Sequence, residues 1–350
     1  METSIWSAVP SLVINPLQEG VAGLRDRLGR EVVSMLSSDP DDVLREFEEP
    51  AGDPGLFGPE SPVWEVHADP SMFIGGIRAL LLQAMHPLAM AGVSEHSDYK
   101  RNPLRRLQRT AMFVRDTTYG NTSQVETAFR RVRAMHAKVV GTAPDGRPYA
   151  ASDPELLRWV HAAEIDSFLV AHSRYGERPL TPAQTDLYID EMAEVAIRLG
   201  ADWAPRSRAE LDDYFEDVQP ELEAGEQALE TARWLLTTPA HPSGWPAQMI
   251  LNIAAIGLLP PSVRRPLGLV PTPMVDPIDL VDPVLVRPAA QLLVRTIGWA
   301  LGPHGVREAA ARRWMAPTPA PGKSRRARKV EKTTRSKTST ARPKRKPADA

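Results

Sequence analysis

Apolar residues recur along this chain at the spacing of helix faces, and no stretch keeps the strict alternation of a half-buried strand for long. Asn102-Pro103 supplies a cap and a first-turn proline for a helix carrying Leu104, Leu107, Ala111 and Val114 on one face. A second helix is predicted over residues 123–140, stopping near Gly141. A third starts at Ser152-Asp153-Pro154 and runs through Leu156, Val160, Ala163 and Phe168 to about Tyr175. A fourth follows Thr181-Pro182 and ends near Gly200. Further helices are expected over 17–37, 72–94, 208–236, 246–258 and 284–301, with Pro87 ending or kinking the run 72–94 near His86. The Pro- and Gly-rich stretches 52–69 and 260–283 read as long ordered loops inside one body, because no repeat or boundary divides the chain. The expectation is an all-α, multi-helix globular domain over residues 1–316.

Charge separates this body from the last stretch of the chain. Residues 317–350 hold twelve Lys or Arg against Glu331 and Asp349, a net of +10; with −2 for the whole chain, residues 1–316 carry −12. So polar a segment cannot bury enough surface to offset its ordering entropy, and a disordered basic tail is expected. Its chemistry suits a salt-sensitive contact with anionic lipid or nucleic acid, or simply a solubilising extension. With 42% hydrophobic residues the body can fill a large core, and with Cys 0 it has no disulfide, thiolate metal site, iron–sulfur cluster or covalently attached haem. The start lacks a basic stretch before an apolar run. The apolar segments 72–93 and 249–259 are interrupted by Arg78, Gln83, His86 and Pro87, or are too short to span a bilayer. A cytoplasmic protein with no transmembrane helix is expected, with peripheral membrane contact as a variant.

Phosphate-binding glycine loops, nucleophile elbows and His-Glu-x-x-His are absent from the sequence, which leaves histidines, arginines and hydroxyls on helix faces. Val125, Phe129, Val132, His136 and Val139 form one stripe on the second helix, so His136 is expected to point inward. A buried imidazole needs a partner: a carbonyl would make it structural, and iron would make it a ligand. Arg106, Thr110, Phe113 and Thr117 share a face of the preceding helix, either as a polar spot in an apolar pocket or as an exposed cation and a helix-satisfied hydroxyl. His86, His96 and His172 read as core or capping residues. His161 lies within two turns of Glu164 and Asp166, which leaves a non-haem metal site as a minor alternative.

Five motifs, in order, resemble one known family: Leu80 through His86-Pro87 to Glu95-His96-Ser97, Asn102 to Thr110, Arg131-Val-Arg-Ala-Met-His136, Gly146-Arg-Pro-Tyr149, and Leu157-Arg-Trp-Val-His161. They are similar to the family that groups latex clearing protein, a rubber oxygenase, with the mycophenolic acid pathway oxygenase (DUF2236, MpaB-like), over about residues 70–214. The resemblance implies an all-α fold with a buried, non-covalent haem b pocket. It makes His136, in Arg133-Ala-Met-His136, the candidate iron ligand, with Arg133 and Arg109 beside the cofactor. Arg106 and Thr110 match the spacing of the family's haem-side Arg and Thr, and Glu95 is the nearest match to its catalytic Glu. Where the rubber enzyme has a Lys able to approach iron, this chain has Arg109, whose guanidinium keeps its proton and is a poor ligand. The implied activity is a haem-dependent oxygenase using O2 on an apolar, isoprenoid- or lipid-like substrate. The alternatives are a non-enzymatic helical haem- or lipid-binding protein and, less well supported by where the basic charge lies, a DNA-binding regulator.

Overall fold

Prolines at first or second helical positions punctuate a helical chain in the computed structural model, which describes residues 22–30, 32, 40–238, 244–269, 282–302 and 305–317. In chain order the helices are α1 (Pro40–Glu48), α2 (Pro62–Ala68), α3 (Met72–Gln83), α4 (Pro87–His96), α5 (Pro103–Tyr119) and α6 (Thr122–His136). After a short hairpin come α7 (Pro154–Tyr175), α8 (Pro182–Leu199), α9 (Arg208–Val218), α10 (Glu226–Thr237) and α11 (Trp245–Leu258). Then come α12 (Pro261–Arg264), a π turn (Asp282–Val286) leading into α13 (Arg287–Leu301), and α14 (Gly305–Met315). Residues 22–30 are also helical. The fold is all-α, as the sequence predicts.

The core is built around α7, whose Trp159, Ala162, Ala163, Ile165, Ser167 and Ala171 are sealed from solvent. It lies close against α3 because Gly75 has no side chain: a Cβ there would stand 2.9 Å from Phe168 Cδ1 and 3.1 Å from the Ser167 carbonyl oxygen. One buried charge network crosses this packing. Arg78 on α3 pairs with Asp166 at 2.8 Å and donates to Ser167 Oγ at 2.6 Å and to the Leu258 carbonyl at 3.0 Å. Arg208 on α9 takes the other oxygen of Asp166, at 2.8 Å. Both oxygens of that carboxylate are therefore used to join α3, α7 and α9.

The break of the run 72–94 before Pro87 into α3 and α4, bent by 107°, is the one the sequence predicts. Several other boundaries differ from expectation, each for a local reason. The stretch 208–236 is two helices, because Pro220 lies in a 3₁₀ turn after α9 and α10 restarts at Glu226. Residues 52–69 are not all loop: Ser61 Oγ accepts from the Val63 amide at 3.1 Å and caps α2. The second helix ends at His136, short of 140, because Val140–Thr142 pairs with Pro148–Ala150 in an antiparallel hairpin. Gly146, at φ +88°, makes that turn. The Asn102 side chain does not cap α5; its amide binds Asp98 Oδ2 at 2.7 Å. Among the described residues, one helical segment, Val284–Leu301, is by length and composition apolar enough to cross a membrane, and the bent pair α3–α4 passes the same test only if taken together; neither is predicted from the sequence. The predicted tail, apart from Pro317, and residues 270–281 lie outside the described residues.

Candidate functional site

Helices α5 and α6 form an antiparallel pair joined at Gly120-Asn121, where Asn121 and Gln124 close a capping box. Phe113 meets Phe129 edge-to-face, with ring centroids 5.9 Å apart, and this contact sets the register of the pair. Two turns out from it, toward the open end, Arg106 lies on the Phe113 face of α5 and His136 on the Phe129 face of α6. The helix pair therefore brings Arg106, Thr110 and His136 to one end of one seam, although no hydrogen bond among the described residues joins His136 to the other two.

His136 is half-buried, because α6 ends there while the sealed part of its stripe, Val125 and Phe129, lies deeper. Its Nδ1 is buried and has no hydrogen-bond partner among the described residues. Burial pulls the imidazole below its ordinary pKa, so the ring is neutral at neutral pH and keeps a lone pair available. Exposed apolar side chains occur on α5 (Leu107, 39%), beside His136 in sequence on α6 (Met135, 48%) and in the hairpin strand that follows (Val140, 57%).

Arg106 is held rather than free. Its guanidinium lies 5.4 Å over the Tyr99 ring and donates to Ser97 Oγ at 3.3 Å, and burial lowers its pKa without removing its charge. Tyr99 is itself fixed by Thr231 at 2.7 Å and by the Trp234 ring. Thr110 is exposed, and its hydroxyl donates to the Arg106 carbonyl one turn back, at 3.3 Å. Arg109 is exposed on the outer side of α5. Arg133 is exposed too, and donates to the Arg198 carbonyl at 2.5 Å, tying α6 to the C-terminal end of α8. Glu95 stands apart at the end of α4, exposed, where it accepts a hydrogen bond from Tyr149 of the hairpin, which His96 Nε2 also contacts at 3.2 Å.

The His161 region resolves differently from a metal site. Asp166 is consumed by Arg78 and Arg208, and the described residues hold no group of three or more His, Asp or Glu that could bind a metal ion. His161 keeps a buried Nε2 without a partner and is pulled down to about 4 by burial. One turn on, Glu164 is half-buried, and burial pushes its carboxyl up to about 7. Nearby, His67 bridges Thr118 at 2.7 Å and Tyr188 at 3.1 Å. Tyr99, His67 and Tyr188 escape a reading of the sequence, since each is fixed by residues far away in the chain.

A family model described as ER-bound oxygenase mpaB/B'/Rubber oxygenase, catalytic domain, matches residues 64–279. The chain belongs to this family of oxygenase catalytic domains. The match takes in α3 to α12 whole, with most of α2, and so contains the entire α5–α6 seam and extends the likeness on both sides of 70–214. No curated protein and no solved structure matches the chain.

Proposed function

We propose that this protein is a haem b-dependent oxygenase that uses O2 on an apolar, isoprenoid- or lipid-like substrate, with His136 as the residue that would hold the iron. One observation carries the reading: a neutral imidazole, whose buried Nδ1 has no partner among the described residues, stands on the last turn of α6 beside the exposed Met135. Exposed apolar surface costs more when wet than when covered, which favours an apolar group at this end, and a buried nitrogen left without a partner costs about 1–3 kcal/mol, which a metal centre carried by that group would offset. The donor chemistry fits a haem, since neutral imidazole is a usual iron ligand. When bound, that cofactor supplies the activation of O2.

The chain's own residues orient and shield. Arg106, held over Tyr99 and bonded to Ser97, would supply a permanent cation near the α5 end of the site and favour negative charge developing there. Thr110 is oriented by its bond to the Arg106 carbonyl, and Arg109 replaces a potential lysine ligand with a cation that does not release its proton. Phe113 and Phe129 close the seam on the inner side and exclude water from it. We assign Glu95 no step, because its carboxylate is exposed and engaged by Tyr149.

The test is oxygen uptake by the haem-loaded protein against isoprenoids and unsaturated lipids, with isotopically labelled O2 traced into product. Substrate-dependent uptake with label in the product is expected. Haem uptake without O2 consumption on any member would return the protein to a binding module.

A further inference from the structure

We infer that α13 is a membrane-docking helix that lies flat on an anionic lipid surface. One face of α13 and its lead-in turn is fixed to the body: Val286, Ala290 and Val294, at four-residue spacing, are buried. The opposite face carries Leu285, Leu292 and Trp299 at seven-residue spacing, and these are 65%, 68% and 41% exposed, with Val284 beside them at 71%. A helix on the surface of a water-soluble body places polar residues on that side. Beside it, α11 leaves Met249 at 45% and Ile253 at 39% exposed, and the helical segment 22–30, whose Arg25 lies 6.0 Å over the Trp299 ring, leaves Leu24 at 50% exposed.

Length and composition alone would let Val284–Leu301 cross a bilayer, but its bound face does not. With Val286, Ala290 and Val294 packed on the body, the helix presents only a stripe, which suits the plane of the lipid interface, with Trp299 at headgroup depth. Charge selects the occupant. The charged side chains of α13 are Arg287 and Arg295; both are exposed, and neither is paired with a carboxylate among the described residues. A second copy docked on the same stripe would bring these cations against one another, whereas anionic headgroups complement them. The inference does not depend on the haem reading.

The test is co-sedimentation of the full-length protein with vesicles of phosphatidylcholine alone and of phosphatidylcholine mixed with phosphatidylserine, at low and high salt. The Leu285→Glu/Leu292→Glu variant is compared, with its helicity checked by circular dichroism. Because both leucines are exposed, the fold is expected to survive. Wild type should bind the mixed vesicles and retain part of that binding at high salt, and the variant should bind at least roughly tenfold more weakly. Equal binding by the variant, or binding abolished by salt, would assign the contact to the basic chain end and overturn the role of α13. A wild-type dimer in sedimentation that the variant dissolves would assign the stripe to a second copy, and absence of binding to either vesicle would overturn the inference outright.

Discussion

Glu164→Gln is expected to stabilise the protein in base and to change nothing in acid. The carboxyl of Glu164 on α7 is half-buried, has no hydrogen bond or ion pair among the described residues, and is pushed by burial from 4.5 to about 7. In the unfolded chain the same group titrates near its ordinary value. Between these two values the unfolded state sheds a proton that the folded state keeps, so stability falls as pH rises through the window and levels off above it. At about 1.4 kcal/mol per unit, the difference between 4.5 and about 7 corresponds to a loss of about 3 kcal/mol at alkaline pH. An amide of the same shape does not ionise and escapes that loss. Urea denaturation of both proteins at about pH 4 and about pH 8.5 measures it, and all other titrations cancel in the difference. The expected gain is near zero at the lower pH and about 3 kcal/mol at the higher one. A difference between the two proteins that does not change with pH would mean that the carboxyl is freely hydrated and would refute the reasoning.

The packing sets three further outcomes. Asp166→Asn should cost about 3–5 kcal/mol, read as a lower urea midpoint, because it strands the buried Arg78 without its counter-charge. Gly75→Ala should lower Tm by overpacking worth about 1–3 kcal/mol, since the new methyl would meet Phe168 at 2.9 Å. Arg133→Ala should also lower Tm, through loss of the bond to the Arg198 carbonyl, while leaving the visible spectrum of the haem-loaded protein unchanged; a moved spectrum would place Arg133 at the cofactor instead.

The helices were largely legible because their ends are marked locally. Thr181 with Gln184 and Asp153 before Pro154 cap α8 and α7 as their letters suggest. The hairpin was not legible: Val139 continues the helical stripe of α6, and only pairing with Pro148–Ala150, a tertiary event, takes the chain out of the helix. The same event explains why His136 stands on a last turn and is half-buried, where a helix to 140 would have sunk it. At the site, the shared face of Arg106 and Thr110 and the inward side of α6 follow from periodicity alone. That Tyr99 holds Arg106 does not, since the loop between α4 and α5 has no period to read. Asp166 looked available beside His161 because its two arginine partners come from α3 and α9, 88 and 42 residues away in sequence. The exposed apolar stripe of α13 was likewise read only as helix, since apolar spacing alone does not say which face is covered.

The most direct test of His136 as an iron ligand is the absorption spectrum of purified protein titrated with haemin, for wild type and for His136→Ala. The account predicts a saturable Soret band in the wild type that His136→Ala loses or shifts and that added imidazole restores. A wild-type protein that takes up no haem, or a variant whose bound spectrum is identical to that of the wild type, would contradict it.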